Sequence, residues 1–206
     1  MIAFLHTLSA NVEKFDLLAQ KYAADVDVKH FVNETILINA LKNGKTDFDG
    51  FNAEIEKIKL SKPDLIICTC SSYGEACDRR ADVERIDAPI VEYIVANYSK
   101  IGLAYAASST RDISADLIIT NATAMDKNIE IVDIDCTSAW PYYEQKNIEQ
   151  YYREIAKIIS SNNDEPEVIF LAQASMEGAK QYLPKNNKIE VVTSPEYGVM
   201  SLLKQK

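Results

Sequence analysis

The sequence predicts an α/β fold built from two similar Rossmann-like halves. Short aliphatic and β-branched runs alternate with amphipathic stretches along the 206 residues, and this alternation is typical of mostly parallel sheets flanked by helices. Several runs are apolar throughout, as expected for parallel strands that are covered on both faces. The predicted strands are residues 2–5, 26–31, 64–69, 89–91, 101–106, 116–120, 129–134, 167–172 and 189–192. The predicted helices are residues 10–24, 49–60, 73–83 and 147–161.

An internal repeat divides the chain into the two halves. The segment PDLII, which starts at Pro63, aligns with PEVIF, which starts at Pro166, 103 residues later. The segment IAFLHTLS from Ile2 aligns in the same way with IGLAYAAS from Ile101, 99 residues later. The two alignments occur in the same order and differ by a few residues only, which surface loops accommodate. They therefore predict two copies of one α/β unit related by a pseudo-twofold axis.

The repeat also predicts where an active site lies. We expect a first domain of residues 1–97 plus 193–206 and a second domain of residues 98–192. Loops at the carboxyl ends of the strands of two such halves would form a crevice between them. Continued without gaps, the first alignment pairs Cys70 with Gln173. The site is therefore expected in the cleft between the halves, with Cys70 on one wall and Gln173 on the other.

Composition excludes several classes of partner. The formal net charge of −9 disfavours binding to a phosphate backbone. No stretch approaches 18 consecutive apolar residues, so no membrane span is expected. The opening segment MIAFLHTLSANVEKF lacks the basic region of a signal peptide, and four cysteines without such a signal fit a reducing compartment. We therefore expect a cytoplasmic protein with neither nucleic acid nor membrane as a partner.

Five segments, taken in order, resemble the aspartate/glutamate/hydantoin racemase superfamily. They are IAFLHT, IICTCSSYG, KIGLAYAASST, FLAQASMEGA and VVTSPEYGV. The resemblance covers nearly the whole chain and rests on the order and spacing of the segments. It implies a small carboxylic acid as substrate, no cofactor, and a homodimer as the usual assembly of the family.

The resemblance also implies a mechanism, from which this chain departs at one position. In the family, one cysteine removes the α-proton of the bound acid and a second cysteine delivers a proton to the opposite face. Ser, Thr and backbone N–H groups hold the carboxylate. Cys70 matches the first cysteine, whereas Gln173 stands in place of the second, and an amide is neither an acid nor a base near neutral pH. Proton delivery from one face is then expected.

Two functions remain open at this point. The first is a cofactor-independent enzyme that acts at the carbon α to a carboxylate with a single cysteine as acid and base, either as a racemase-like isomerase or as a decarboxylase or lyase. The alternative is a catalytically impaired protein of the same fold that binds a small carboxylic acid or has a regulatory role.

Cys70 is the strongest candidate for chemistry. A cysteine acts through its thiolate, and Ser72 followed by Glu75 fits a capping box. A helix that begins just after Cys70 would favour the thiolate through its N–H groups, which could also receive a carboxylate. Cys68 and Cys77 lack the further ligands of a zinc site and are expected in the core. Cys136 is expected in the core or, as an alternative, as a displaced second thiol.

The remaining site predictions follow from strand ends. His6 ends the first predicted strand and could serve as an acid or orient Cys70. Ser175 can cap a helix, and its neighbours can bind an anion. The predicted catalytic residues are Cys70 and His6. The predicted substrate-binding residues are Thr7, Ser71, Ser72, Ser109, Thr110, Gln173, Ala174 and Ser175. No metal ligand is predicted.

Overall fold

The computed structural model describes residues 1–43, 45–162, 165–185 and 187–204. The strands of these residues are β1 (Ile2–His6), β2 (Val28–Val32), β3 (Leu65–Cys68), β4 (Glu84–Arg85), β5 (Lys100–Tyr105), β6 (Glu130–Asp135), β7 (Val168–Leu171) and β8 (Glu190–Thr193). The α-helices are α1 (Asn11–Tyr22), α2 (Glu34–Asn43), α3 (Phe48–Lys59), α4 (Gly74–Asp78), α5 (Ala88–Asn97), α6 (Ser108–Ala124), α7 (Trp140–Glu144), α8 (Ile148–Ser160) and α9 (Ser194–Lys204). Short 3₁₀ helices span Ser71–Tyr73, Thr137–Ala139 and Ala174–Tyr182.

The chain forms two compact units with the same sheet topology. One unit comprises Met1–Pro89 and the segment from Pro195 onward, and the other comprises Ile90–Ser194. The strand order is β2-β1-β3-β4 in the first sheet and β6-β5-β7-β8 in the second, and all neighbouring strands are parallel. Each strand thus has a counterpart four strands later, which confirms the two similar α/β halves. The domain boundaries expected at 97/98 and 192/193 stay a prediction.

In the first unit, a buried central strand and an amphipathic helix form the core. Every residue of β1 is buried because β1 lies between β2 and β3. Helix α3 begins where the side chain of Asp47 accepts a hydrogen bond from the N–H of Gly50 at 2.9 Å. Its residues Phe51, Ile55 and Ile58 recur at helical spacing and are fully buried. Packing of that face against the sheet fixes the amino-terminal half of the fold.

The second unit repeats this construction. Helix α8 begins after Asn147, whose side chain accepts a hydrogen bond from the N–H of Gln150. Tyr151, Ile155 and Ile159 lie one turn apart along the helix, and all three are buried in the core of the unit. The two helices thus start with the same capping chemistry and bury one apolar face each.

Two predicted strands are helices. Residues 89–91 lie in α5, and residues 116–120 lie in α6. The short run in α5 continues to Ile94 and Val95, so its buried residues recur at helical spacing. In α6, Ile118 is fully buried while its neighbour Ile119 is exposed, as expected for a helix with one face on the core. Short apolar runs do not distinguish a strand from a helix by periodicity, which accounts for both errors.

The other predicted strands are confirmed, as are the helices predicted at 10–24, 49–60 and 147–161. The helix predicted at 73–83 is shorter, because α4 ends at Asp78 and the chain reaches β4 at Glu84. The pattern did not reveal β4, α2, α7 or α9. No helix among the described residues is long and apolar enough to cross a membrane.

Candidate active site

Cys70 lies at the carboxyl end of β3, where three donors surround its sulfur. Strands β1 and β3 pair in parallel with Leu5 opposite Cys68, and the N–H of Thr69 donates to the carbonyl of Leu5 at 3.0 Å. This register brings the residue after β1, Thr7, beside Cys70. The hydroxyl of Thr7 donates to the sulfur, as do the backbone N–H and the hydroxyl of Ser72. The predicted residues Thr7, Ser72 and Cys70 therefore form one contact group.

The protonation state of Cys70 differs from the expected one. Burial, followed by the neighbouring thiol of Cys68, raises the pKa of Cys70 to about 12, although the donors from Thr7 and Ser72 act in the opposite direction. The expectation of a thiolate favoured by a helix is therefore wrong. Helix α4 has five residues and begins only after a 3₁₀ turn, so its dipole is too small and too distant to offset desolvation. Near neutral pH, Cys70 is a thiol.

The turn after Cys70 is not capped as predicted. Cys70 itself precedes the 3₁₀ helix, Tyr73 precedes α4, and neither makes a side-chain cap. The side chain of Glu75 instead pairs with Arg79 at 2.6 Å on the surface. Ser72 lies inside the 3₁₀ turn, where it is buried and contacts the sulfur of Cys70. Ser72 thus donates to the sulfur instead of capping a helix, and its predicted contact with substrate stays a prediction.

His6 belongs to a separate buried chain of polar groups. Its Nδ1 lies 2.8 Å from the hydroxyl oxygen of Thr69, and its Nε2 lies 2.9 Å from Nδ1 of His30. Because the hydroxyl of Thr69 donates to the carbonyl of Leu5 at 3.1 Å, it accepts from Nδ1–H of His6. Nδ1–H of His30 then donates to Nε2 of His6, and Nε2 of His30 faces Asp16 at 3.5 Å. Both nitrogens of His6 are engaged within the protein.

The charge of His6 follows from this environment. The side chain is fully buried, and it stacks with Phe4 and with His30. Burial, and then the positive charge of His30, lowers the pKa of His6 to about 3. His6 is therefore neutral over the physiological range. His6 contacts Thr69, and the next residues of the two segments, Thr7 and Cys70, are also in contact. His6 therefore holds the segment that carries the sulfur.

The remaining cysteines lie in the cores. Cys68 and Cys77 are buried in the core cluster of the first unit, with the thiol of Cys68 3.8 Å from the carbonyl oxygen of Cys70. Cys136 is buried in the core cluster of the second unit, where burial raises its pKa to about 12. The core prediction for these three cysteines is thus confirmed. Within residues 1–43, 45–162, 165–185 and 187–204, no group of three His, Cys, Asp or Glu side chains is arranged to hold a metal ion.

In the second unit, Gln173 occupies the position equivalent to Cys70. Its Oε1 accepts hydrogen bonds from the N–H groups of Ala106 and Ala107 at 2.7 and 2.9 Å. Gln173 lies two residues after the end of β7, just as Cys70 lies two residues after the end of β3. Ala106 is equivalent to Thr7 in the internal repeat, so the same pair of positions is in contact in both units.

The other predicted binding residues of the second unit have partners or positions of their own. Ser175 does not cap the 3₁₀ helix; its hydroxyl lies 3.2 Å from the hydroxyl of Tyr151. Ala174 and Thr110 are buried, and Ser109 is half-buried in the first turn of α6. Ser71, in the first unit, is also buried. These placements leave their predicted contacts with substrate as predictions.

The sequence did not point to the polar residues that support the site. Thr69 and His30 hold His6, while Arg85 and Asp87 form a buried ion pair beside α4. One signal was present in the sequence. Thr69 stands between two cysteines in CTC, so its side chain alternates with theirs and lies on the opposite face of the strand.

The comparisons with known proteins bear on the fold. No protein-family model matches the sequence, and no curated protein matches it. Solved structures do match it over nearly its whole length. The aspartate racemase of Picrophilus torridus is 17% identical with a TM-score of 0.73, over 99% of this chain and 93% of that one. The glutamate racemase of Bacillus anthracis is 10% identical with a TM-score of 0.73, over 100% and 80%.

A third solved structure that matches is a racemase named for a different substrate, allantoin. The allantoin racemase of Pseudomonas fluorescens is 13% identical with a TM-score of 0.55, over 99% of this chain and 89% of that one. The chain therefore has the two-halved α/β fold of the aspartate, glutamate and allantoin racemases, as its resemblance to that superfamily predicted.

Proposed function

We propose that this protein is a cofactor-independent enzyme of the racemase type that moves a proton at the carbon α to the carboxylate of a small amino acid or α to the ring carbonyl of a hydantoin. The observation that carries the proposal is the sulfur of Cys70, which lies at the carboxyl end of a central strand and receives hydrogen bonds from Thr7 and Ser72. Such donors stabilise the thiolate that forms when the thiol gives up its proton.

Cys70 acts first as an acid in this proposal. Because its pKa is raised to about 12, the resting side chain carries the proton. In the protonation step, the electron pair that a departing group such as carbon dioxide leaves on the α-carbon forms the new C–H bond, while the S–H bond breaks and its electron pair stays on sulfur. The donors from Thr7 and Ser72 become stronger as the negative charge develops, which is the condition for stabilising the transition state more than the ground state. In the reverse direction, the thiolate removes the α-proton.

The second unit contributes no proton in this proposal. Oε1 of Gln173 is held by two backbone N–H groups, and a side-chain amide is neither an acid nor a base near neutral pH. Proton transfer then takes place on one face of the α-carbon. The reaction types consistent with one thiol are a stereospecific isomerisation, and a decarboxylation or elimination whose carbanion is protonated from one side.

Incorporation of deuterium at the α-carbon tests the proposal. The protein is incubated in deuterium oxide with D- and L-aspartate, D- and L-glutamate, and hydantoins, and exchange is followed by NMR. We expect exchange with one enantiomer of at least one acid, and a loss of at least 100-fold in Cys70→Ala. Cys136→Ala serves as the matched control, because it removes a buried thiol of the second unit and should leave exchange unchanged. Exchange that persists in Cys70→Ala would exclude Cys70 as the acid.

The protonated state of Cys70 and the engaged oxygen of Gln173 also favour a second function, a small-acid-binding protein without turnover. Calorimetry with the same acids separates the two functions. Binding of an acid without any deuterium incorporation over days would favour the binding protein over the enzyme.

A further inference from the structure

A buried ion pair lies directly beside the turn that follows Cys70. Arg85, in β4, donates from Nε to Oδ1 of Asp87 at 2.7 Å and from Nη2 to Oδ2 of the same carboxylate at 3.0 Å. Its Nη1 donates to Oδ2 of Asp78, the last residue of α4, at 2.6 Å. The side chains of Arg85 and Asp87 are 5% and 1% exposed, whereas that of Asp78 is 53% exposed. One guanidinium group therefore joins a strand, a helix end and the start of α5.

The sheet connects this ion pair to the segment that carries the sulfur. Arg85 is paired with Cys68 across strands β4 and β3, and the N–H of Ile86 donates to the carbonyl of Cys68 at 3.0 Å. Cys70 follows Cys68 by two residues. A shift of Arg85 would therefore act on the end of β3 through the backbone.

The helix provides a second connection. Gly74 is the first residue of α4, and a Cβ atom at that position would overlap the guanidinium group of Arg85. The guanidinium thus packs directly on the backbone of α4. Between Gly74 and Cys70 lies one 3₁₀ turn, closed by a hydrogen bond from the N–H of Tyr73 to the carbonyl of Cys70 at 3.0 Å. This turn contains Ser72, which donates to the sulfur.

A buried ion pair is a weak source of stability, because desolvation offsets much of the attraction. The planar fork of arginine, in contrast, fixes the relative position of its partners within a narrow range. We propose that Arg85 is a positioning residue for Cys70, holding the turn of residues 71–74 against the end of β3 so that the turn covers the sulfur. This inference rests on the proposed role of Cys70, but it is tested by the reactivity of the thiol.

Asp78→Ala is the variant that separates positioning from folding. Asp78 is mostly exposed, so its removal detaches α4 from Arg85 and leaves the buried pair with Asp87 in place. We expect the rate of alkylation of Cys70 by iodoacetamide at pH 9, followed by mass spectrometry of the peptide, to rise about 10-fold, because a looser turn admits water and weakens the burial that dominates the state of Cys70. Amide hydrogen exchange at Ser72 and Tyr73 should accelerate by a similar factor.

Glu75→Ala is the matched control. Glu75 lies on the same helix and pairs with Arg79 at the same 2.6 Å, but that pair is on the surface. The Glu75→Ala substitution removes the same charge from α4 as Asp78→Ala does, but it leaves the contacts of Arg85 unchanged. The alkylation rate and the amide exchange of the turn should stay within 2-fold of the wild-type values. Equal rates in Asp78→Ala and Glu75→Ala would overturn the proposal.

A double-mutant cycle tests the contact with Gly74 directly. Gly74→Ala should raise the alkylation rate of Cys70 in the wild-type background, because the new methyl group displaces the guanidinium. Arg85→Lys keeps the charge next to Asp87 but has no planar fork, and it should also raise the rate. In the Arg85→Lys background, Gly74→Ala should add less than 2-fold. If the effects of Gly74→Ala and Arg85→Lys on the alkylation rate multiply independently, the proposal is contradicted. If the cycle variants do not fold, an unchanged alkylation rate in Asp78→Ala contradicts it instead.

These readouts are independent of the proposed reaction. Deuterium exchange that persists in Cys70→Ala would contradict the proposed function. The alkylation results for Asp78→Ala would still decide whether Arg85 positions the turn.

Discussion

The side-chain oxygen of Gln173 accepts hydrogen bonds from the backbone N–H groups of Ala106 and Ala107, at 2.7 and 2.9 Å. In the first unit, the equivalent pair is Cys70 and Thr7, where a hydroxyl donates to sulfur. Both pairs join the end of one central strand to the end of its neighbour. The repeat has thus kept the contact and changed its chemistry, from a thiol that receives hydrogen bonds to an amide that organises the start of a helix.

Gln173 should therefore contribute to stability through its oxygen. Gln173→Leu leaves two N–H groups at the start of α6 without their acceptor, and we expect it to lower the free energy of unfolding by about 2 kcal/mol. Gln173→Glu keeps an acceptor oxygen and should stay within about 1 kcal/mol of the wild-type value. Urea denaturation followed by circular dichroism measures both. Gln181→Leu, an exposed residue of the same 3₁₀ helix, is the control and should have little effect.

Thr7 should control the reactivity of Cys70. Thr7→Val removes the hydroxyl that donates to the sulfur while keeping the shape of the side chain, and a hydrogen bond to a charged group contributes about 1.5–3 kcal/mol. We expect the pKa of Cys70 to rise further and alkylation at pH 9 to slow by about 10-fold. Thr7→Ser keeps the hydroxyl and should react at nearly the wild-type rate. Unchanged alkylation in Thr7→Val would show that this donor does not act on the thiolate.

His6 should make stability depend on pH. Its pKa in the folded protein is lowered to about 3 from an ordinary value of 6.5, so the unfolded chain binds more protons between these two values. Stability is therefore full above about pH 6.5 and falls as the pH drops toward 3, with a slope of up to about 1.4 kcal/mol per pH unit from this residue.

The comparison of two variants isolates the contribution of His6. In His6→Gln, the slope of the free energy of unfolding against pH should decrease between pH 4 and 6 by up to about 1.4 kcal/mol per pH unit, which corresponds to one proton. Thr69→Val breaks the hydrogen bond but keeps the titrating ring, so its slope should stay close to that of the wild type. The measurement is urea denaturation at several pH values. An equal slope in His6→Gln and the wild type would show that His6 does not titrate abnormally.

The sequence was sufficient for the architecture because the repeat and the buried strands are local patterns. Continuous apolar runs mark β3 and β7, and the equivalence of Cys70 and Gln173 follows from counting residues. The same patterns failed for residues 89–91 and 116–120, where a short apolar run fits a strand and a helix equally well.

The contact between Thr7 and Cys70 was predictable from the ends of their strands, but the electrostatics of the sulfur were not. The sequence suggested a low pKa for Cys70, whereas burial raises it. Desolvation depends on how many groups pack around the sulfur, and that is a tertiary property. For the same reason the ion pair of Arg85 and Asp87 was not foreseen, since an arginine and an aspartate two residues apart are on the surface in most sequences.

The pair formed by Ser175 and Tyr151 gives a test of the second unit that does not depend on catalysis. Their hydroxyl groups lie 3.2 Å apart, and Tyr151 is fully buried in the aromatic core. Ser175→Ala leaves the hydroxyl of Tyr151 without this partner and should cost about 1–2 kcal/mol of stability, while Tyr151→Phe should cost about 1 kcal/mol. In the double variant both polar groups are gone, so the total loss should be about 1 kcal/mol less than the sum of the two single losses. Urea denaturation of the four proteins gives the coupling energy. A sum of independent losses would mean that the two hydroxyl groups do not interact, and Ser175 would then be free for the role in substrate binding that its position in the sequence predicted.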